Sequence, residues 1–184
     1  MRILQRLLLA VSMCCLVATA NAEPMDDAMA AYDRGDYVQA LKILRPLAAK
    51  GNIEAQYSIG VMYSEGRGVT QNHQEALKWF RLAAVKGYAS AQTNIGYMYL
   101  NGYGVTQNYQ EALKWHRLAA NQGNAAAQYS LDVMYGNGKG VTQDYQEALK
   151  WDRLAADQGD ALWLLQMLQD HQIKRDGTRI KMVE

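Results

Sequence analysis

Phe80, His116 and Asp152 occupy the same place in the copied segments "EALKWF", "EALKWH" and "EALKWD". A His and an Asp at matching positions are the raw material of an acid–base pair. Stacked helical layers hold equivalent positions about 10 Å or more apart, too far for direct proton transfer. The expectation is therefore a half-exposed position that accepts any side chain. His73 alternates with Tyr109 and Tyr145 and reads as a surface residue, as does His171. No His-Glu-x-x-His or Gly-x-Ser-x-Gly arrangement occurs, and those are the patterns that assemble a zinc site or an activated serine. The loops "GRGVTQN", "GYGVTQN" and "GKGVTQD" contain Gly-x-Gly. A phosphate cradle of that kind follows a strand and carries Lys-Ser or Lys-Thr at a set offset. These loops follow a helical pattern instead, and read as tight helix–helix turns with Val69, Val105 and Val141 turned inward. No catalytic residue, metal ligand or cofactor is implied.

The elements that position these residues follow from a repeat. Trp79, Trp115 and Trp151 are 36 residues apart, as are Gly51, Gly87, Gly123 and Gly159. A fixed period of this size indicates a stacked array rather than one globular core. Full units are expected at 55–90, 91–126 and 127–162. The first helix of a unit opens as "AQYSIGVMY", with Ala55, Ile59, Met62 and Tyr63 on one face. It stops at Gly66, repeated as Gly102 and Gly138, where glycine accepts a left-handed backbone. Asn72, Asn108 and Asp144, each followed three residues later by Glu, predict a capping box at the second helix. Its inward stripe reads Ala76, Trp79, Phe80 and Ala83, and each tryptophan is expected to contribute about 2–3 kcal/mol by burial. A helical pair this short cannot cover its own apolar stripes, but neighbouring pairs cover each other's. Asp132 breaks the pattern where Gly60 and Gly96 stand. A carboxylate there is expected to loosen the third unit or to turn toward solvent.

The ends differ. Residues 23–54 read as a shortened unit with Ile43 in the tryptophan place, and Asp36 with Gln39 repeating the cap. Residues 163–184 read as a capping helix and tail, Ala161 to Asp170 forming a half unit; the tail is a hairpin about Asp176-Gly177 or a frayed basic end. At the start, Arg2 and Arg6 precede a largely apolar run of fourteen residues, Leu7–Ala20, and then "ANAE". That order predicts an export signal over 1–22 with cleavage near Ala22, too short for a span of about 20 residues. Both cysteines, Cys14 and Cys15, lie in it, so the exported part enters an oxidising compartment without disulfides. Removing Arg2 and Arg6 from the 19 basic residues leaves 17 against 18 acidic, a net −1. Such a balance argues against a nucleic-acid surface.

Ala-x-x-x-Ile-Gly-x-Met-Tyr, then Gly-x-Gly-Val, then Glu-Ala-x-x-Trp and Ala-Ala resembles the Sel1-like repeat, a relative of the tetratricopeptide repeat. The resemblance covers 55–162. It implies an all-α, right-handed superhelix of stacked helical pairs, and the role of an adaptor or binding platform, with exported bacterial members linked to envelope or host-interaction functions. It further implies that the first helices line a concave face. Their outward stripe is then Tyr57, Val61 and Ser64; Thr93, Tyr97 and Leu100; Tyr129, Val133 and Gly136, with Asn94 and Asn101 nearby. These positions vary between units while packing positions do not. An aromatic, mildly polar groove suits an extended peptide or a partner helix. Cysteine-rich relatives suggest a β-lactam-binding or hydrolysing enzyme as the alternative, but the exported part lacks their cysteines. Regulation of envelope or peptidoglycan processes is the third reading.

Overall fold

The computed structural model describes residues 24–156. The leader, the half unit, the tail and His171 lie outside the described residues.

Among the described residues the chain is eight α-helices and no strand: α1 over 24–33, α2 (Tyr37–Ala49), α3 (Ile53–Glu65), α4 (His73–Ala84), α5 (Ala89–Asn101), α6 (Tyr109–Ala120), α7 (Ala125–Asn137) and α8 (Tyr145–Ala156). From α2 onward each helix packs on the next in sequence. The result is the expected all-α, right-handed solenoid of helical pairs. The N-terminal unit is α1–α2, and units 1, 2 and 3 are α3–α4, α5–α6 and α7–α8. The first helices begin two residues before the units read from the sequence. Asn52 and Asn124 fix two of these starts by accepting from the Ala55 and Ala127 amides at 2.8 and 3.0 Å. Tyr88 stands in the third place without a capping side chain.

Asn72 and Asn108 cap α4 and α6 as expected, each accepting the amide three residues on at 3.0 Å. The capping box is only half formed, which corrects the expectation. The Asn72 amide donates to the Tyr63 carbonyl at 2.8 Å, and Asn108 and Asp144 repeat this with Tyr99 and Tyr135. With that donor satisfied by the preceding helix, Glu75 turns instead to Lys78, Glu111 to Lys114 and Glu147 to Lys150.

The apolar cores lie between units. The first joins α1 and α2 to α3 through Leu41, Leu44, Ile59 and Met62. The second joins α4 to α5 through Leu77, Phe80, Ile95 and Met98, and the third joins α6 to α7 through Leu113, Leu131 and Met134. Val69, Val105 and Val141 each tuck against one of them. Tryptophan placement departs from the inward stripe. Trp79 and Trp115 are half-buried, packed from the side against the first and second cores; Trp151 alone is buried, in the third. The fully buried large residue of the second helix is its neighbour, Phe80 or His116.

That finding overturns the half-exposed reading of 80, 116 and 152 in the first two units. Phe80 is 2% exposed and His116 0%. Each presses on a glycine twenty residues earlier: a Cβ on Gly60 would stand 2.6 Å from the Phe80 ring, and one on Gly96 would stand 2.7 Å from the His116 ring. In unit 3 the corresponding pair is Asp132 and Asp152. A side chain replaces the glycine, and a shorter one replaces the ring, so the volume is shared differently. Asp132 is 1% exposed, so it does not turn toward solvent.

Gln56, Gln92 and Gln128 form a buried ladder that periodicity of apolar residues does not show. Each donates its side-chain amide to a carbonyl in the last turns of the preceding second helix, Ala48, Ala84 or Ala120, at 3.0–3.2 Å. Each of these helix-end carbonyls also accepts the amide of Gly51, Gly87 or Gly123 in the turn that follows, so the glutamine adds a second bond, across the seam.

Candidate functional site

The Gly-x-Gly loops are the joints between units. Gly102 closes α5 with a left-handed backbone, φ 75°. Gly104 lies directly on the start of α4: a Cβ there would meet the His73–Gln74 backbone at 2.7–2.8 Å. Gly68 meets Tyr37 and Gly140 meets Tyr109 in the same way. These glycines permit close contact between backbones, as the expected tight helix–helix turns require. The residue between the two glycines is held over the first residue of the preceding second helix. Arg67 lies over Tyr37, Tyr103 over His73, and Lys139 over Tyr109.

At the middle joint a cleft of about 430 Å³ opens between units 1 and 2. Ser64 and Glu65 come from α3, Gln71 from the loop, His73 and Phe80 from α4, Asn94, Tyr97 and Met98 from α5, and Tyr103 from the loop beyond. His73 and Tyr103 stack with centroids 5.1 Å apart and planes 18° apart. Tyr97 adds a third ring, 5.7 Å from Tyr103. Tyr97 is 50% exposed and Tyr103 41%. Partial burial, with the Tyr103 phenol adding to it, raises Tyr97 above its ordinary pKa of 10, so it is a neutral hydroxyl at physiological pH. Gln71 donates to the Ser64 carbonyl at 2.8 Å and Asn94 lies 3.4 Å from the Tyr57 hydroxyl. The Asn101 side chain donates to the Tyr97 carbonyl at 2.9 Å. The walls therefore offer ring faces with amides beside them, groups capable of stacking and hydrogen bonding.

Of the residues expected on the outward stripe the cleft takes in Ser64 and Tyr97, and of those expected nearby, Asn94. Others serve the seams. Tyr57 is half-buried, 5.0 Å from Tyr88 and 5.8 Å from Phe80. Val61 packs into the second core and Leu100 into the third. The Thr93 hydroxyl lies 3.0 Å from Asn124, crossing from unit 2 to unit 3. Tyr129 and Val133 are half-buried on α7 and do not line the cleft. Reading the stripe missed Glu65, Gln71, His73, Phe80, Met98 and above all Tyr103. The signal for Tyr103 was present in the one changing letter of "GRG", "GYG" and "GKG". Among the described residues no three His, Cys, Asp or Glu side chains are placed to hold a metal ion, and no helix is long and apolar enough to cross a membrane.

Comparison with known proteins agrees with this geometry. A family model of the Sel1 repeat matches 53–88, 89–124 and 125–160, starting where α3, α5 and α7 start. The chain is similar to a Sel1 repeat protein from Oxalobacter formigenes, with 38% identity and a TM-score of 0.70, over 74% of this chain and 56% of that one. It is also similar to a protective antigen of uropathogenic Escherichia coli strains that displays an SLR fold, with 36% identity and a TM-score of 0.72, over 81% of this chain and 33% of that one. The chain thus spans from a third to little more than half the length of these two structures. No curated protein matches it. Three consecutive matched units, glycine joints at the same point of each, and cores shared between neighbours lead to one assignment: the chain belongs to the Sel1 repeat family.

Proposed function

We propose that this chain is an exported protein- or peptide-binding adaptor of the bacterial envelope or host interface, and that it holds its partner in the cleft between units 1 and 2. The observation that carries this reading is the group of Tyr97, Tyr103 and His73 around an open cleft flanked by Asn94 and Gln71. Rings held by packing lose little freedom when a partner stacks on them, and adjacent amides select an extended backbone. Sel1 repeats act as protein-interaction modules, which supports a partner of this class. Export rests on the charged, then apolar, then small-residue order of 1–22. The similarity to a protective antigen suits a protein that meets the outside of the cell.

Panning a random peptide library against the purified chain tests the reading. Wild type is expected to retain a defined set of peptides, and Tyr97→Ala is expected to weaken them about tenfold, the loss of one well-packed aromatic contact. Retention of no peptide, or equal retention by the variant, contradicts it.

A further inference from the structure

The three joints fill the same position with Arg67, Tyr103 and Lys139. At the first, Arg67 lies over two rings, 5.3 Å from Tyr32 and 5.6 Å from Tyr37. At the third, Lys139 lies 6.0 Å from the Tyr109 ring. In both, the loop residue is a cation and it rests on the ring that opens the preceding second helix. At the middle joint the cation is replaced by Tyr103, which stacks on His73. Only here, among the described residues, does the loop residue leave ring faces in place of a charge, and here the cleft opens.

The surroundings have a consistent charge. Helices α1, α3, α5 and α7 contain no Lys or Arg, and no Lys or Arg lines the cleft. Glu65 is its one carboxylate, held 2.7 Å from Arg67. That pairing offsets its charge, so the ring faces supply the attraction. Aromatic faces bind a guanidinium or ammonium through the negative charge of the π cloud, most strongly where the cation is partly desolvated.

We infer that the cleft between units 1 and 2 takes a Lys or Arg side chain of the partner, seated on the rings of Tyr103 and Tyr97, so that the partner brings the cation that the neighbouring joints carry in their own loops. This rests on the proposal that the cleft binds a peptide. The peptide is extended and basic, with its cation at the rings and its backbone against Asn94 and Gln71.

The peptides retained by the purified full chain test this. They are expected to be enriched in Lys and Arg, and replacing that residue by norleucine is expected to weaken a retained peptide roughly five- to tenfold. Tyr103→Lys supplies the chain's own cation and is expected to lower affinity by a similar factor, with an unchanged thermal melt, since units 1 and 3 already carry Arg67 and Lys139 there. Tyr103→Phe keeps the ring and is expected to keep the affinity. Retained peptides that are acidic or purely apolar, a norleucine peptide that binds as well, or self-association of the chain through these rings overturns the cationic occupant while leaving a binding cleft in place. Unchanged affinity in a folded Tyr103→Lys variant also overturns it. Retention of no peptide overturns this inference together with the reading it rests on.

Discussion

His116 fills the place that Phe80 holds one unit earlier, and neither of its ring nitrogens has a hydrogen-bond partner among the described residues. Burial pulls its pKa from an ordinary 6.5 down to about 4. Because the folded chain resists protonation that the unfolded chain accepts, stability is full above about pH 6.5. It falls as the pH drops toward 4, where the folded form also takes up the proton. At about 1.4 kcal/mol per unit, the loss reaches about 3 kcal/mol. His116→Phe copies the neighbouring unit into the same slot and removes this dependence. Denaturant melts of both proteins at pH 7.5 and 4.5 check it: the stability gap between variant and wild type is expected to widen at the lower pH. A gap that does not change with pH contradicts a buried, neutral His116. The same slot explains why a surface was expected there. Phe, His and Asp in turn look permissive when read alone. Paired with residues twenty earlier they read Gly–Phe and Gly–His, a ring packed on a bare backbone, and then Asp–Asp, where Asp132 is buried and Asp152 is half-buried.

The most legible boundaries were the starts of α4, α6 and α8, each set by a short polar side chain before the first turn, and the ends of α3, α5 and α7, each closed by a glycine. The starts of the first helices lie two residues before the reading. What local spacing could not show is which partner an end group finds when another helix is near. Glu111 sits where a capping box needs it, yet the Asn108 amide is satisfied by Tyr99 at 2.9 Å and Glu111 pairs with exposed Lys114. Asn108→Ala is expected to cost about 1 kcal/mol, the ordinary loss of a cap. Glu111→Ala is expected to cost only a few tenths, the usual worth of an exposed ion pair on a helix. Equal costs in urea denaturation would restore the capping box. The buried glutamines were hidden for a related reason. A polar residue on a core face looks like an interruption until the carbonyls of the preceding helix are placed beside it.

At the scale of the whole chain, the period of 36 made the architecture readable, since a repeated segment must meet its copies through a repeated interface. The cleft between units 1 and 2 was harder to read. A stripe drawn along each first helix treats the units as equal, and the structure makes them unequal: Tyr57 and Thr93 are spent in the seams, while Tyr97 and Tyr103 stand open at one joint. Departures from the copy, more than the copy itself, mark that joint. The three cores belong to pairs of units and to no single unit, so each helical pair draws its burial from its neighbours. Circular dichroism of a synthetic peptide covering 89–124, set beside that of the full chain, tests this most directly. A weak helical signal that fades gradually on heating is the predicted result, because about 36 residues without either neighbour lack both core faces. A strong helical spectrum with a sharp thermal transition in the lone unit would contradict it.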